Sequence, residues 1–147
     1  MITLYTIGFT KKSAEQFFEL LKKHQVNKLI DVRINNGSQL AGFAKGSDLS
    51  YFLKQIGGIG YRHIIDFAPT KELLSDYRAE KVTWSEYEKV YTNLLDKRSV
   101  NAKYKLENFD KCCFLCSEET PEYCHRRLLA EYLKKQDPKN VKIIHLV

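Results

Sequence analysis

The chain has little of what would take it out of the ordinary globular class. It holds only three prolines and seven glycines in 147 residues, with no low-complexity tract, which excludes a disordered or collagen-like chain. No apolar run approaches the ~20 residues of a membrane-spanning helix, so no membrane partner is expected. The first residues, Met1-Ile-Thr-Leu-Tyr-Thr-Ile-Gly8, lack the basic start and small-residue cleavage site of a secretory leader. The expected location is therefore the cytoplasm, where the four cysteines stay as free thiols. A dinucleotide fingerprint is also missing. Gly57-Gly58-Ile59-Gly60 precedes a strand instead of opening a helix, so it reads as a helix cap, and no cofactor is expected.

What is present fits one domain over residues 1–147, with enough apolar content for a single core. Twenty-four Lys and Arg against eighteen Asp and Glu give a net charge of +6. That excess permits a small anionic substrate or a nucleic acid as partner. Lys22, Lys23, Lys134 and Lys135, however, fit solvated helix faces.

Hydrophobic periodicity alternates between two and 3.6. Ile2 to Ile7 reads as a strand ended by Gly8. Ser13-x-x-Gln16 is a capping box before a helix carrying Phe17, Leu20, Leu21 and His24. Lys28 to Arg33 is a second strand, followed by a polar loop over 35–38. Leu49, Phe52, Leu53 and Ile56 mark a second helix, and Tyr61 to Ile65 a third strand. A short helix with Leu73, Leu74 and Tyr77 follows Pro69-Thr70. Thr83-x-x-Glu86 opens a longer one with Trp84, Tyr87, Tyr91, Leu94 and Leu95. Ser99 to Lys105 is expected as a polar loop before a fourth strand near Cys112. A helix is expected after Thr120-Pro121, with Thr120 as N-cap and Pro121 at the first helical position. Val141 to Val147 is a last strand. Strands alternating with helix-length connections predict a three-layer α/β domain, a mostly parallel, Rossmann-like sheet with helices on both faces.

The densest chemistry lies in Cys116-Ser-Glu-Glu-Thr-Pro-Glu-Tyr-Cys-His-Arg-Arg127, where the fourth strand gives way to a helix. Open α/β sheets build their sites at such junctions. In a parallel sheet Gly8, Asp31, Arg33, His63, Cys116 and Glu118 gather at one edge, facing helix N-termini that favour anions. Cys116 or Cys124, beside Arg126 and a helix start, is a candidate nucleophile, with His125 as base or proton shuttle and Glu118 as acid or base. Arg126 suits a carboxylate or phosphate. Asp31 and Arg33 serve either a substrate or a loop-fixing ion pair. Cys112 and Cys113 belong to the core, while His24 and His145 have no polar company. Cys116, Cys124 and His125 also supply three possible metal ligands, although their spacing is unlike a Cys-x-x-Cys knuckle.

These pieces resemble the DUF488 family: Thr6-Ile-Gly8, Asp31-Val-Arg33, Gly58-Ile-Gly-Tyr61 with His63, Phe67-Ala-Pro-Thr70, and Leu115-Cys-Ser-Glu118 with Pro121 and Cys124-His-Arg126. The last piece is the most specific. Where the family often has His-Ser after Thr-Ile-Gly this chain has Phe9-Thr10, and where it usually has a proline soon after Asp-Val-Arg it has Ile34-Asn35-Asn36. No role that rests on that histidine carries over. The resemblance implies an α/β fold and a shared site of Asp31, Arg33, Cys116, Glu118, Cys124, His125 and Arg126. It supplies no reaction. Three expectations follow. One is an enzyme-like Cys/His/Arg site for an anionic substrate such as a nucleotide or nucleic-acid phosphate, with Gly8, His63, Asp31, Arg33 and Arg126 on the binding side. The others are a binding module using the basic surface and the loop around Phe43, and a metal-clipped structural domain.

Overall fold

The computed structural model describes residues 1–37 and 42–147; Ser38, at the end of the expected polar loop, lies outside the described residues. Five parallel strands form one sheet: β1 (Ile2–Gly8), β2 (Lys28–Asp31), β3 (Gly60–His63), β4 (Cys112–Cys116) and β5 (Val141–Leu146), in the order β3-β2-β4-β1-β5. Six α-helices connect them: α1 (Ala14–Lys23), α2 (Gly46–Gly57), α3 (Lys71–Arg78), α4 (Trp84–Lys97), α5 (Val100–Lys103) and α6 (His125–Lys134). No helix among the described residues is long and apolar enough to cross a membrane.

The three layers follow from the two-residue period of the strands. Leu4, Ile30, Cys112, Phe114 and Cys116 point to one face and pack with Leu73 of α3, Tyr87, Tyr91 and Leu95 of α4, and Leu128, Leu129 and Leu133 of α6. Tyr5, Ile7, Leu29, Cys113 and Leu115 point to the other, against Phe17, Phe18 and Leu21 of α1 and Leu49 and Leu53 of α2. Both faces are covered, as an all-parallel sheet requires. Helix ends are set locally. Ser13 and Thr83 form the two capping boxes, Thr70 caps α3, and Gly58 ends α2 in the left-handed conformation at φ 62°. Lys22, Lys23 and Lys134 sit in last helical turns, where they complement the helix dipole.

Several boundaries differ from the sequence reading. Strand β2 stops at Asp31, because the Asp31 Oδ1 accepts from the Arg33 backbone N–H at 3.2 Å and turns the chain. Strand β3 stops at His63, and Ile65–Phe67 form a 3-10 turn. The expected polar loop after α4 contains α5. Ser99 takes the left-handed conformation (φ 56°), reverses the chain, and lets Val100 bury. Helix α6 begins at His125, four residues past the expected first turn. Its N-cap is Cys124 in extended conformation, and Pro121–Tyr123 form a separate turn. The Arg126 guanidinium accounts for this delay, since it donates to the carbonyls of Glu118 (2.6 Å) and Glu119 (3.5 Å) and holds that stretch as a loop.

This topology fixes where a site forms. From β2 the chain moves outward to β3, while from β4 it moves the other way to β5. Neighbouring strands with diverging connections leave a crevice at their carboxyl ends. Asp31 and Cys116 terminate those two strands, and Gly8 of β1 pairs with Cys116.

Candidate functional site

Cys116 ends β4 on the face toward α4 and α6. Its Sγ lies 3.7 Å from Nδ1 of His125, the first residue of α6. The other ring nitrogen, Nε2, is 2.7 Å from the Val32 carbonyl. A carbonyl only accepts, so Nε2 carries a proton in that bond and Nδ1 is left to exchange one with the thiol. The Tyr91 ring closes on the imidazole edge-on, with centroids 5.5 Å apart. Cys124, the N-cap of α6, completes the cluster. The two sulfurs and the imidazole nitrogen lie within 4.8 Å of one another, and all three residues are buried.

These contacts set the protonation states. The neighbouring Cys124 thiol, the charge and hydrogen bond of His125, and the Ser117 backbone hold the Cys116 thiol well below the ordinary thiol range, against the effect of burial. Burial, reinforced by the neighbouring Cys116 sulfur, pushes the Cys124 thiol up. For His125, burial opposes the charged ring, yet the charge and hydrogen bond of Cys116 and the bond to Val32 raise its pKa. Both shifts act toward a Cys116 thiolate beside a His125 imidazolium. Among the described residues this is the one cluster with three metal-ligating side chains. A Cys2His donor set of this kind suits zinc.

A second buried assembly lies on the opposite side of the sheet edge. The Arg33 guanidinium pairs side-on with Asp31, through Nε at 2.9 Å and Nη2 at 2.6 Å, and Nη2 also donates to the Ala44 carbonyl at 2.7 Å. Asp31 accepts a further bond from the Tyr61 hydroxyl at 2.6 Å, which itself accepts from Asn36 Nδ2 at 3.1 Å. Burial and donation to Asp31 raise the Tyr61 pKa, so the hydroxyl keeps its proton. Arg33 rests over the Phe9 ring at 5.3 Å. Its remaining nitrogen, Nη1, is buried and has no partner among the described residues.

The two assemblies meet at a cavity of about 260 Å3. Of the residues anticipated from sequence, Cys116, Glu118, Cys124, His125 and Arg33 line it. Four others stand behind it. Asp31 fixes Arg33. His63 has its Nε2 2.6 Å from the Arg33 carbonyl, which ties down the loop after β2. Arg126 is fully buried and holds the loop after Cys116 through the Glu118 carbonyl. Gly8 lets that loop approach, since a Cβ there would fall 1.6 Å from the Glu118 carbonyl oxygen. His145, read as lacking polar company, has its Nδ1 2.6 Å from the Thr6 hydroxyl. Phe43 packs on Phe17 and Phe18, with centroids 5.2 and 5.9 Å apart, instead of standing free on its loop. Four aromatic residues, Tyr77, Trp84, Tyr87 and Tyr123, also line the cavity. Tyr77 and the Trp84/Tyr87 pair read as helix core positions, so their spacing gave no sign of a ligand wall.

No curated protein and no solved structure matches the chain. A family model described as a domain of unknown function, DUF488, matches residues 13–133. The match takes in α1 through all but the last residue of α6, with β2, β3 and β4, the Cys116–Cys124–His125 cluster and the Asp31–Arg33–Tyr61 group, while β1, Phe9 and β5 lie outside it. The chain belongs to the DUF488 family.

Proposed function

We propose that this chain is an enzyme in which Cys116 is the nucleophile toward a small anionic substrate bound in the cavity. The observation that carries the reading is the convergence on one cavity of a thiol paired with a carbonyl-anchored imidazole and of a buried arginine, Arg33, whose guanidinium has one nitrogen without a partner among the described residues. The Arg33 guanidinium supplies a fixed cation for the anionic group. His125 takes the Cys116 proton on Nδ1. The thiolate then attacks an electrophilic centre of the substrate, forming one bond to sulfur as the bond to the leaving group breaks. The imidazolium returns the proton to the leaving group. Water, deprotonated by neutral His125, releases the product and restores the thiol. Cys124 steadies the thiolate from beside it, and Glu118, exposed at the cavity, is placed to handle a proton. Asp31, His63, Gly8 and Arg126 position these groups without touching the substrate.

Alkylation of the native protein across a pH series, read for each thiol by mass spectrometry with and without a chelator, tests this. The lowered Cys116 pKa keeps the thiolate populated where an ordinary thiol, with its pKa near ~8.5, is already protonated, so its labelling falls off only at lower pH. Cys116 should label at least about tenfold faster than Cys112 and Cys113 at pH 7, and His125→Gln should cut that advantage. Cys116 inert at every pH until the chain unfolds would sink the nucleophile reading. Labelling that appears only after chelation would assign the cluster to a metal ion instead.

A further inference from the structure

Thiol chemistry leaves one part of the cavity without a purpose. Its wall is built from aromatic rings. Trp84 stacks on the buried Tyr87 with centroids 4.9 Å apart and planes 14° apart, and meets Tyr77 and Tyr123 edge-on at 5.5 and 5.6 Å. Tyr123 leaves 60% of its surface exposed while lining the cavity. A wall needed only to exclude water would be served by aliphatic residues. Aromatic faces and edges add the capacity to hold a flat ring by stacking and edge-to-face contact.

Arg33 contributes the second, independent observation. It is 6% exposed, and its Nη1, with no partner among the described residues, belongs to a residue that lines the same cavity. A buried charged donor without an acceptor is costly and calls for an explanation, and an anionic group in the cavity provides one. At about 260 Å3 the cavity falls just under the ~300–1,000 Å3 of drug-sized pockets, so it suits a compact molecule and not a polymer segment.

We infer that the substrate of this site is a small aromatic anion, its ring held on the Trp84 wall and its anionic group accepting from Nη1 of Arg33 next to Cys116. The inference rests on the reading of the cavity as a substrate site. Two sources share this chemistry: an aryl phosphate, with the ring directly on the anionic group, and a nucleoside monophosphate, with a sugar between them.

Trp84 is the only tryptophan in the chain, so intrinsic fluorescence reports on this wall alone. The wild-type protein would be titrated with phenyl phosphate, adenosine 5′-monophosphate and inorganic phosphate, following Trp84 emission and, in parallel, heat by calorimetry. At least one aromatic anion should bind about tenfold or more tightly than inorganic phosphate, change Trp84 emission, and protect Cys116 from alkylation. Whichever of the two binds more tightly identifies the source. Trp84→Leu should bring the aromatic anion down to the affinity of inorganic phosphate by calorimetry. Arg33→Lys, which keeps a charge for Asp31 but loses the guanidinium fork, should weaken every anion about tenfold in a chain that still folds by circular dichroism. Aromatic anions that bind no better than inorganic phosphate, or that leave Cys116 unprotected, overturn the inference. That failure is separable from failure of the nucleophile reading, which is decided by Cys116 alkylation in the absence of any ligand.

Discussion

Cys113 and Cys116 lie three positions apart on β4, and both are buried, yet burial leaves them in opposite states. The odd spacing turns them to opposite faces of the sheet. Cys113 faces the aliphatic and aromatic cluster of α1 and α2, where burial acts nearly alone and pushes its thiol well up. Cys112, one position earlier, is pushed up to about 11 for the same reason. Cys116 sits at the strand end, where a second thiol, an imidazole and a backbone N–H outweigh the same penalty. Burial therefore does not make a cysteine inert or reactive; the partners supplied within the buried site decide it. The two buried arginines repeat the lesson. Arg33 is neutralised by Asp31, whereas Arg126 has no carboxylate and is held by the carbonyls of Glu118 and Glu119; each keeps one buried nitrogen, Nη1 and Nε, without a partner among the described residues.

The harshest way to test that partners govern these buried charges is to remove one. Asp31→Ala leaves the Arg33 guanidinium buried without its carboxylate and strips the Tyr61 hydroxyl of its acceptor. A loss of about 3–5 kcal/mol is expected in denaturant unfolding. The Asp31→Ala/Arg33→Met double variant should recover part of it, because no charge is then stranded. A single variant as stable as the parent would show that the pair is not governed by its partner. Next in size is Gly8→Ala. The added Cβ meets the Glu118 carbonyl oxygen at 1.6 Å and Arg126 Nη1 at 2.9 Å, so the loop after Cys116 must shift. About 1–3 kcal/mol of destabilisation is expected, together with slower Cys116 alkylation. Unchanged alkylation in a destabilised chain would separate the loop from the state of the thiol.

The layered fold was legible because local chemistry and periodicity agreed. Ser13-x-x-Gln16 and Thr83-x-x-Glu86 form the capping boxes expected of them, and Gly58 ends α2. Strand ends and short elements were less legible, because long-range bonds set them. Nothing near Thr120-Pro121 announces that Arg126 captures two carbonyls and delays α6 to His125, and α5 depends on a left-handed Ser99. Within the site, the Cys116-to-Arg126 stretch was readable as a strand-to-helix junction dense in polar groups. The reading did not separate the groups at the cavity from those behind it. Asp31, His63 and Arg126 were natural candidates for binding, and only the structure gives their partners: Arg33, the Arg33 carbonyl and the carbonyls of Glu118 and Glu119. The Tyr61 hydroxyl on Asp31 and the Trp84 wall escaped notice because aromatic residues at strand and helix spacing look the same whether they meet a core or a cavity.

The smallest expected effects come from Cys113, and they bear most directly on the contrast with Cys116. Cys113→Ser buries a hydroxyl among Leu29, Leu115 and their neighbours, and an unpaired hydroxyl there costs about 1–3 kcal/mol. Cys113→Ala removes only a sulfur atom from the same packing and costs about 1 kcal/mol, close to a lost methylene. Neither change touches Cys124, His125 or Ser117. The pH profile of Cys116 alkylation should therefore overlay that of the parent in both variants, even as unfolding midpoints fall. A Cys116 profile displaced by Cys113→Ala would mean that the strand transmits packing to the thiol. The state of Cys116 would then depend on the whole of β4 as well as on the three groups around its sulfur.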